Sequence, residues 1–203
     1  MKKRSIVMWL LLGSSAAVAQ KHELGLTLGR RSGPTRSSNA GDLQLSSGVG
    51  LQANYGYRVL QRRRVAFFGE VHLLANGQRT VQSRNATATR DIATLFVTPG
   101  LRVAWTGSRR FVPYATAGAG YALYEQSYFR LDGASNEGPR FTHRGAFSYG
   151  GGVNLPVWRF VGLRLEARDF YTGNPSFNAV VTSAGQHNVV VGGGLVLSWG
   201  STE

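Results

Sequence analysis

Cysteine is absent from the chain, so no disulfide holds the fold together and no thiolate serves as nucleophile or metal ligand. Long apolar runs are missing too: after residue 20 no stretch approaches the roughly 18 uninterrupted apolar residues of a spanning helix. Acidic residues number only 10 against 23 basic ones, and Lys2, Lys3 and Lys21 are all the lysines there are. The other cations are arginines, which suit planar, bidentate recognition of phosphate and carboxylate groups. Metal binding finds no support, since there is neither a histidine pair at ligand spacing nor an Asp-rich calcium loop. No cofactor is expected, because the glycine-rich stretches keep strand parity and open no helix of the phosphate-cradling kind.

What is present begins with an address. Lys2, Lys3 and Arg4 form a basic start, Ile6 to Leu12 an apolar stretch, and Ala17-Val18-Ala19 a small-residue cleavage site, so residues 1–19 read as a secretory signal peptide. The apolar stretch is well short of the roughly 20 residues a membrane anchor needs. Residues 20–203 then form the mature domain, and removal of three basic residues lowers the formal charge from +13 to +10. An exported arginine-rich chain meets membrane phosphates first, so nucleic acid is not an expected partner.

Eight segments of the mature chain alternate with a period of two: 22–31, 47–57, 65–76, 92–105, 111–125, 145–155, 160–171 and 187–199. In the first, Leu24, Leu26 and Leu28 oppose Glu23, Gly25, Thr27 and Gly29; in the last, Val189, Val191, Leu195, Leu197 and Trp199 oppose Val190, Gly192, Gly194, Val196 and Ser198. Each is about long enough to cross a bilayer as a tilted strand. The connections alternate as well. Those at 32–46, 77–91, 126–144 and 172–186 are long, whereas 58–64, 106–110 and 156–159 are short, the order of extracellular loops and periplasmic turns in an outer-membrane barrel. Pro99 interrupts the fourth segment and predicts a bulge or a missing ladder bond.

The charges near segment centres, Glu70, Arg102, Arg164 and Glu166, all fall on the glycine-rich face. An arginine on a lipid-facing position costs roughly 2–4 kcal/mol at the bilayer midplane, so the apolar faces are the ones that meet lipid. Aromatics gather at the ends joined by short turns: Tyr55, Tyr57, Trp105, Tyr114, Phe160 and Trp199, with Phe67, Phe111 and Trp158 beside them, predict an interfacial girdle. These patterns predict an all-β fold, an eight-stranded antiparallel up-and-down transmembrane β-barrel in a bacterial outer membrane, with 187–199 closing onto 22–31.

The stretches Phe111-Val-Pro-Tyr-Ala-Thr-Ala-Gly-Ala-Gly-Tyr121 and Leu163-Arg-Leu-Glu-Ala-Arg-Asp169, within this pattern of segments, make residues 20–203 resemble the small outer-membrane β-barrels of the OmpA/OmpX-like superfamily. The chain departs from OmpA in having no peptidoglycan-binding domain after the barrel. It also continues past Trp199 with Gly200-Ser-Thr-Glu203, where such barrels commonly end at the aromatic read by the assembly machinery. The resemblance implies outer-membrane lipids, lipopolysaccharide and the barrel-assembly machinery as partners of a monomer.

Glu70, His72, Arg102, Arg164, Glu166 and Arg168 share the inward face and predict an ion-pair network filling the lumen. Catalysis is not expected: His143 and Ser148 have opposite parity and no orienting acid, and His22 and His187 read as polar strand-end residues near the seam. The arginines sort into short turns (Arg58, Arg62, Arg63, Arg64, Arg109, Arg110, Arg159) and long loops (Arg30, Arg31, Arg36, Arg79, Arg84, Arg90, Arg130, Arg140, Arg144). The first group would face phospholipid headgroups and the second lipopolysaccharide phosphates or an anionic surface ligand. The expected role is structural, envelope-maintaining or surface-interacting through the long loops. The alternatives are a narrow gated pore through the charged lumen and, further off, a lipid A-modifying enzyme.

Overall fold

A computed structural model describes residues 21–33, 35–38, 41–173 and 185–200; the segment read as a signal peptide and the tail after Gly200 lie outside them. The strands are β1 (His22–Ser32), β2 (Arg36–Ser38), β3 (Gly41–Leu45), β4 (Gly48–Arg62), β5 (Val65–Ser83), β6 (Asp91–Trp105), β7 (Val112–Gln126), β8 (Phe141–Pro156), β9 (Val161–Thr172) and β10 (Val189–Trp199). Eight of them form a closed antiparallel ring in the order β1, β4, β5, β6, β7, β8, β9, β10. The seam is β1 on β10, in register from His22↔Trp199 to Ser32↔Val189. Closure leaves the ring without an unpaired edge.

The period-two pattern explains which face is which. Leu28, Val49, Leu101, Leu165 and Val191 are more than half exposed and point outward, whereas Gln52, Asn54, Glu70, Arg102 and Arg164 are buried inside. So large an apolar belt would be an aggregation site in water, and in lipid it is the matched surface. Glycine on the inner face serves close approach: a Cβ on Gly194 would stand 2.6 Å from the Thr27 Cα across the seam.

At Pro99 the β6–β7 ladder lacks pairing for Thr98 and Pro99, with the same register on both sides (Val97↔Tyr121, Gly100↔Gly118). The outcome there is a missing bond, as expected of a residue without an N–H. The bulges lie elsewhere, at Arg58/Leu60 on β4 and at Asn76/Arg79 on β5. β5 has 19 residues, far more than the roughly 9–11 a membrane crossing needs. Its upper end therefore stands above the membrane, where Leu43 and Leu45 of β3 pair with Ser83 and Val81. This β2–β3 hairpin lies inside the connection expected as a plain loop. The short turn after β4 is only Arg63-Arg64, and Arg63 adopts a left-handed φ of 51° to make it.

Candidate functional site

The lumen has two layers of different chemistry. In the half nearer the short turns, six charges form one continuous alternating chain. Arg164 Nη2 lies 3.2 Å from Glu23 Oε2, which accepts from Arg102 Nη2 at 2.6 Å. Arg102 Nε lies 3.0 Å from Glu70 Oε2, Arg168 Nη2 donates to Glu70 Oε1 at 2.7 Å, and Arg168 Nε lies 3.3 Å from Glu166 Oε1. Three arginines and three glutamates leave this chain neutral. In the Arg102 Nε–Glu70 and Arg168 Nε–Glu166 contacts the nitrogen makes no hydrogen bond, and the Arg168–Glu166 hydrogen bond runs instead from Nη2 to Oε2 at 3.4 Å.

Neutral groups complete the network. Asn54 Nδ2 donates to Glu70 at 3.1 Å, Tyr114 Oη donates to Glu166 at 2.6 Å, and Arg164 Nε donates to Asn154 at 2.8 Å. The Arg102 guanidinium lies over the Phe68 ring, 4.1 Å from its centroid. Glycines make the room: a Cβ on Gly25 would stand 2.8 Å from Arg164 Nη1, and one on Gly56 2.9 Å from Arg102 Nη2. Below the network a cavity of about 40 Å³ opens toward the short turns, lined by Glu23, Arg58, Phe68, Thr106, Asn154 and Trp158 among others.

The half nearer the long loops is built on an apolar cluster with polar side chains among it. Leu74, Phe96, Ala122, Tyr124, Phe170 and Val190 fill the bore, and Leu43, Leu45, Val81, Ala88 and Ile92 extend the same buried cluster into the loops. Phe96 packs against Phe170 and Tyr124 with centroids 5.1 and 6.0 Å apart. Two arginines, Arg31 and Arg79, are buried in this half.

Five of the six network residues expected from sequence, Glu70, Arg102, Arg164, Glu166 and Arg168, come together. His72 does not join them: two residues further along β5, it sits one layer higher, bonded through Nε2 to Gln52 Oε1 at 3.1 Å and packed on Phe170. Glu23, absent from the expected set, bridges two of the arginines, and its parity with Gly25 and Thr27 was the available signal. Of the expected girdle, Tyr55, Tyr57, Trp105, Phe160 and Trp199 are exposed at the short-turn end, with His22 stacked on Trp199. Tyr114 is a correction: Ala115 and Ala117 face outward, so strand parity turns Tyr114 into the lumen, where it is 6% exposed.

Several cations also move. Arg31, Arg58 and Arg79, sorted with loops and turns by sequence position, are buried inside. Outside, Arg90, Arg130 and Arg140 pair with Asp91, Asp132 and Glu125. The Arg36 side chain lies outside the described residues. His22 and His187 lie at opposite ends of the seam, because antiparallel pairing sets the start of β1 against the end of β10. His143 is bonded to Tyr121 on the outer face, while Ser148 is buried in the lumen, bonded to Thr98 at 3.1 Å. His187 has an acid that sequence reasoning missed: its Nδ1 lies 2.5 Å from Asp169 Oδ2, which also accepts from Tyr149.

With the ring, its outward apolar belt and its filled bore in place, the comparison with known proteins is decisive. The model of the outer membrane protein beta-barrel domain matches residues 5–191. The chain belongs to this family. No curated protein sequence matches it. Among solved structures, Neisserial surface protein A (NspA) is similar over 88% of this chain and 97% of its own, with 16% identity and a TM-score of 0.52. OprG from Pseudomonas aeruginosa is similar over 90% of this chain and 98% of its own, with 13% identity and a TM-score of 0.54. At these identities the likeness is one of fold. Family membership places the barrel in the bacterial outer membrane, where short turns of such barrels face the periplasm and longer loops the outside.

Proposed function

We propose that this barrel is a non-enzymatic, structural and surface-interacting protein of the outer membrane whose lumen is sealed. The observation that carries this reading is the filled bore: a neutral charge chain in the periplasmic half and the Leu74, Phe96, Tyr124 and Phe170 cluster above it. The cavity at the periplasmic mouth ends against Glu23, Arg58 and Phe68. Eight strands enclose a bore just wide enough for side chains, so filling is the default for this size of barrel. The contact surface is then the extracellular loops. There Tyr128 and Phe129 are exposed, Arg140 lies 4.0 Å from the Tyr128 ring centroid, and Arg90, Arg130 and Arg140 offer guanidiniums to lipopolysaccharide phosphates.

The gated-pore reading makes a different demand, that breaking the charge chain opens a path. Planar-bilayer recordings of the wild type, Arg102→Ala and Glu70→Ala separate the two. A sealed barrel gives no channel events in the wild type, whereas regular unitary steps from the wild type would sink the reading. Surface contact is read separately, as weaker binding to lipopolysaccharide micelles when Arg90, Arg130 and Arg140 are all replaced by glutamine.

A further inference from the structure

The arginines of the extracellular half are not neutralised. Arg31 follows the inward parity of β1 and donates through Nη1 to Thr94 and through Nη2 to Asn188 Oδ1 at 2.5 Å. Arg79 is turned inward by the β5 bulge: it follows Asn76 by three residues, yet both are buried. It donates through Nε to the Ser46 carbonyl at 2.6 Å and through Nη2 to the Leu45 carbonyl at 3.3 Å. Gly48, the β4 partner of Arg31, has no side chain to separate them, and its Cβ would stand 3.1 Å from Arg79 Cγ. Arg79 thus lies against the β4 residue that pairs with Arg31, and both side chains are buried in the same layer of the lumen. Among the described residues, Arg31 Nε and Arg79 Nη1 are buried donors with no acceptor.

Among the described residues no carboxylate pairs with them. Among the described residues, Glu23, Glu70 and Glu166 are taken by the lower chain. Asp91, Glu125 and Asp132 are held by surface arginines, and Asp169 by His187, Tyr149 and the Asn188 N–H. Asp42 and Glu137 are exposed. Tyr124, in the same buried layer, is bonded through its hydroxyl to Thr172 at 2.8 Å. Phe96, 5.0 Å from the Arg31 guanidinium carbon, offsets part of one charge. An arginine cannot shed its proton to escape burial, so a buried pair without carboxylates calls for an external counter-ion.

We propose that Arg31 and Arg79 form an anion site beneath the extracellular loops that takes a small soluble oxyanion of the phosphate or carboxylate class. Two guanidinium forks with unused donors match the oxygens of such an ion. Both side chains lie on the inner side of the ring, so the ion comes from extracellular water rather than from the lipid around the barrel. It acts as a keystone, tying β1 to the bulged end of β5 and to the carbonyls of Leu45 and Ser46.

The test uses detergent-solubilised protein freed of lipopolysaccharide and kept in a bulky, weakly coordinating anion. Its unfolding midpoint is followed as inorganic phosphate replaces that anion at constant ionic strength. The wild type shows a saturable rise, Arg79→Gln raises the half-saturating concentration by more than about tenfold, and the exposed Arg84→Gln leaves it unchanged. Arg79→Lys keeps the charge but loses the fork; it serves where the glutamine variant fails to fold, and it too binds more weakly. Absence of a saturable rise in the wild type, or Arg79 variants whose curves overlay it, overturns the assignment. A second arm replaces phosphate with lipopolysaccharide micelles. A response there with none to inorganic phosphate would contradict a luminal site.

Discussion

In the periplasmic half of the lumen, Arg102, Arg164 and Arg168 share Glu23, Glu70 and Glu166. In the extracellular half, Arg31 and Arg79 have, among the described residues, only amide, hydroxyl and carbonyl oxygens and an aromatic ring. Both halves seat arginines the same way, against a glycine of another strand: Gly25 for Arg164, Gly56 for Arg102, Gly48 for Arg79. Space is therefore solved alike and charge is not. Burying an unpaired ion costs several kcal/mol even after relaxation, so the lower half is self-sufficient and the upper half leans on apolar packing and on an ion from outside.

The comparison breaks most visibly at Glu70, which touches two arginines. Glu70→Ala should cost about 3–5 kcal/mol of unfolding free energy, measured by urea titration in lipid vesicles, because Arg102 and Arg168 each lose a partner. A loss below about 1 kcal/mol would mean that the lower chain is not coupled as described. In the upper half, Leu74→Ala should cost about 3 kcal/mol through a cavity with no charge left behind. Tyr114→Phe sharpens the picture of the lower half: it keeps the ring and removes the donor on Glu166, for about 2 kcal/mol by the same titration.

The smallest effect lies in the loops. The hydrogen bond from Arg130, followed by the Ala134 N–H, holds the Asp132 carboxyl below the usual aspartate range. Its contribution to loop order is thus complete above the ordinary aspartate pKa and fades as the pH falls through the lowered value. Amide exchange at Ala134 should speed up only in that acid range, and Asp132→Asn should abolish the pH dependence.

The barrel was legible because lipid outside and packed side chains inside impose one period on every segment, and Leu24–Leu28 or Val189–Leu197 carry that period openly. Glu23 and Tyr114 follow the same parity, but Glu23 lies near a strand end rather than its centre and Tyr114 lies beside a short turn. Arg79 was not legible. A bulge adds one residue to a strand without a mark in composition, and every side chain beyond it changes face. The pairing of His187 with Asp169 depends on where the chain re-enters β10, which no local pattern encodes.

Whether the bore is sealed above the charge chain is the central claim, and the lack of native cysteine makes it directly measurable. Single cysteines replace Thr106 at the periplasmic cavity and Ser148, buried in the lumen beside Thr98, and are exposed to a membrane-impermeant thiol reagent in folded, vesicle-inserted protein. The sealed barrel predicts that Thr106→Cys is labelled from the periplasmic side while Ser148→Cys stays unlabelled from either side until unfolding. Labelling of Ser148→Cys in the folded barrel at a rate comparable to Thr106→Cys would show an open water path and contradict the account.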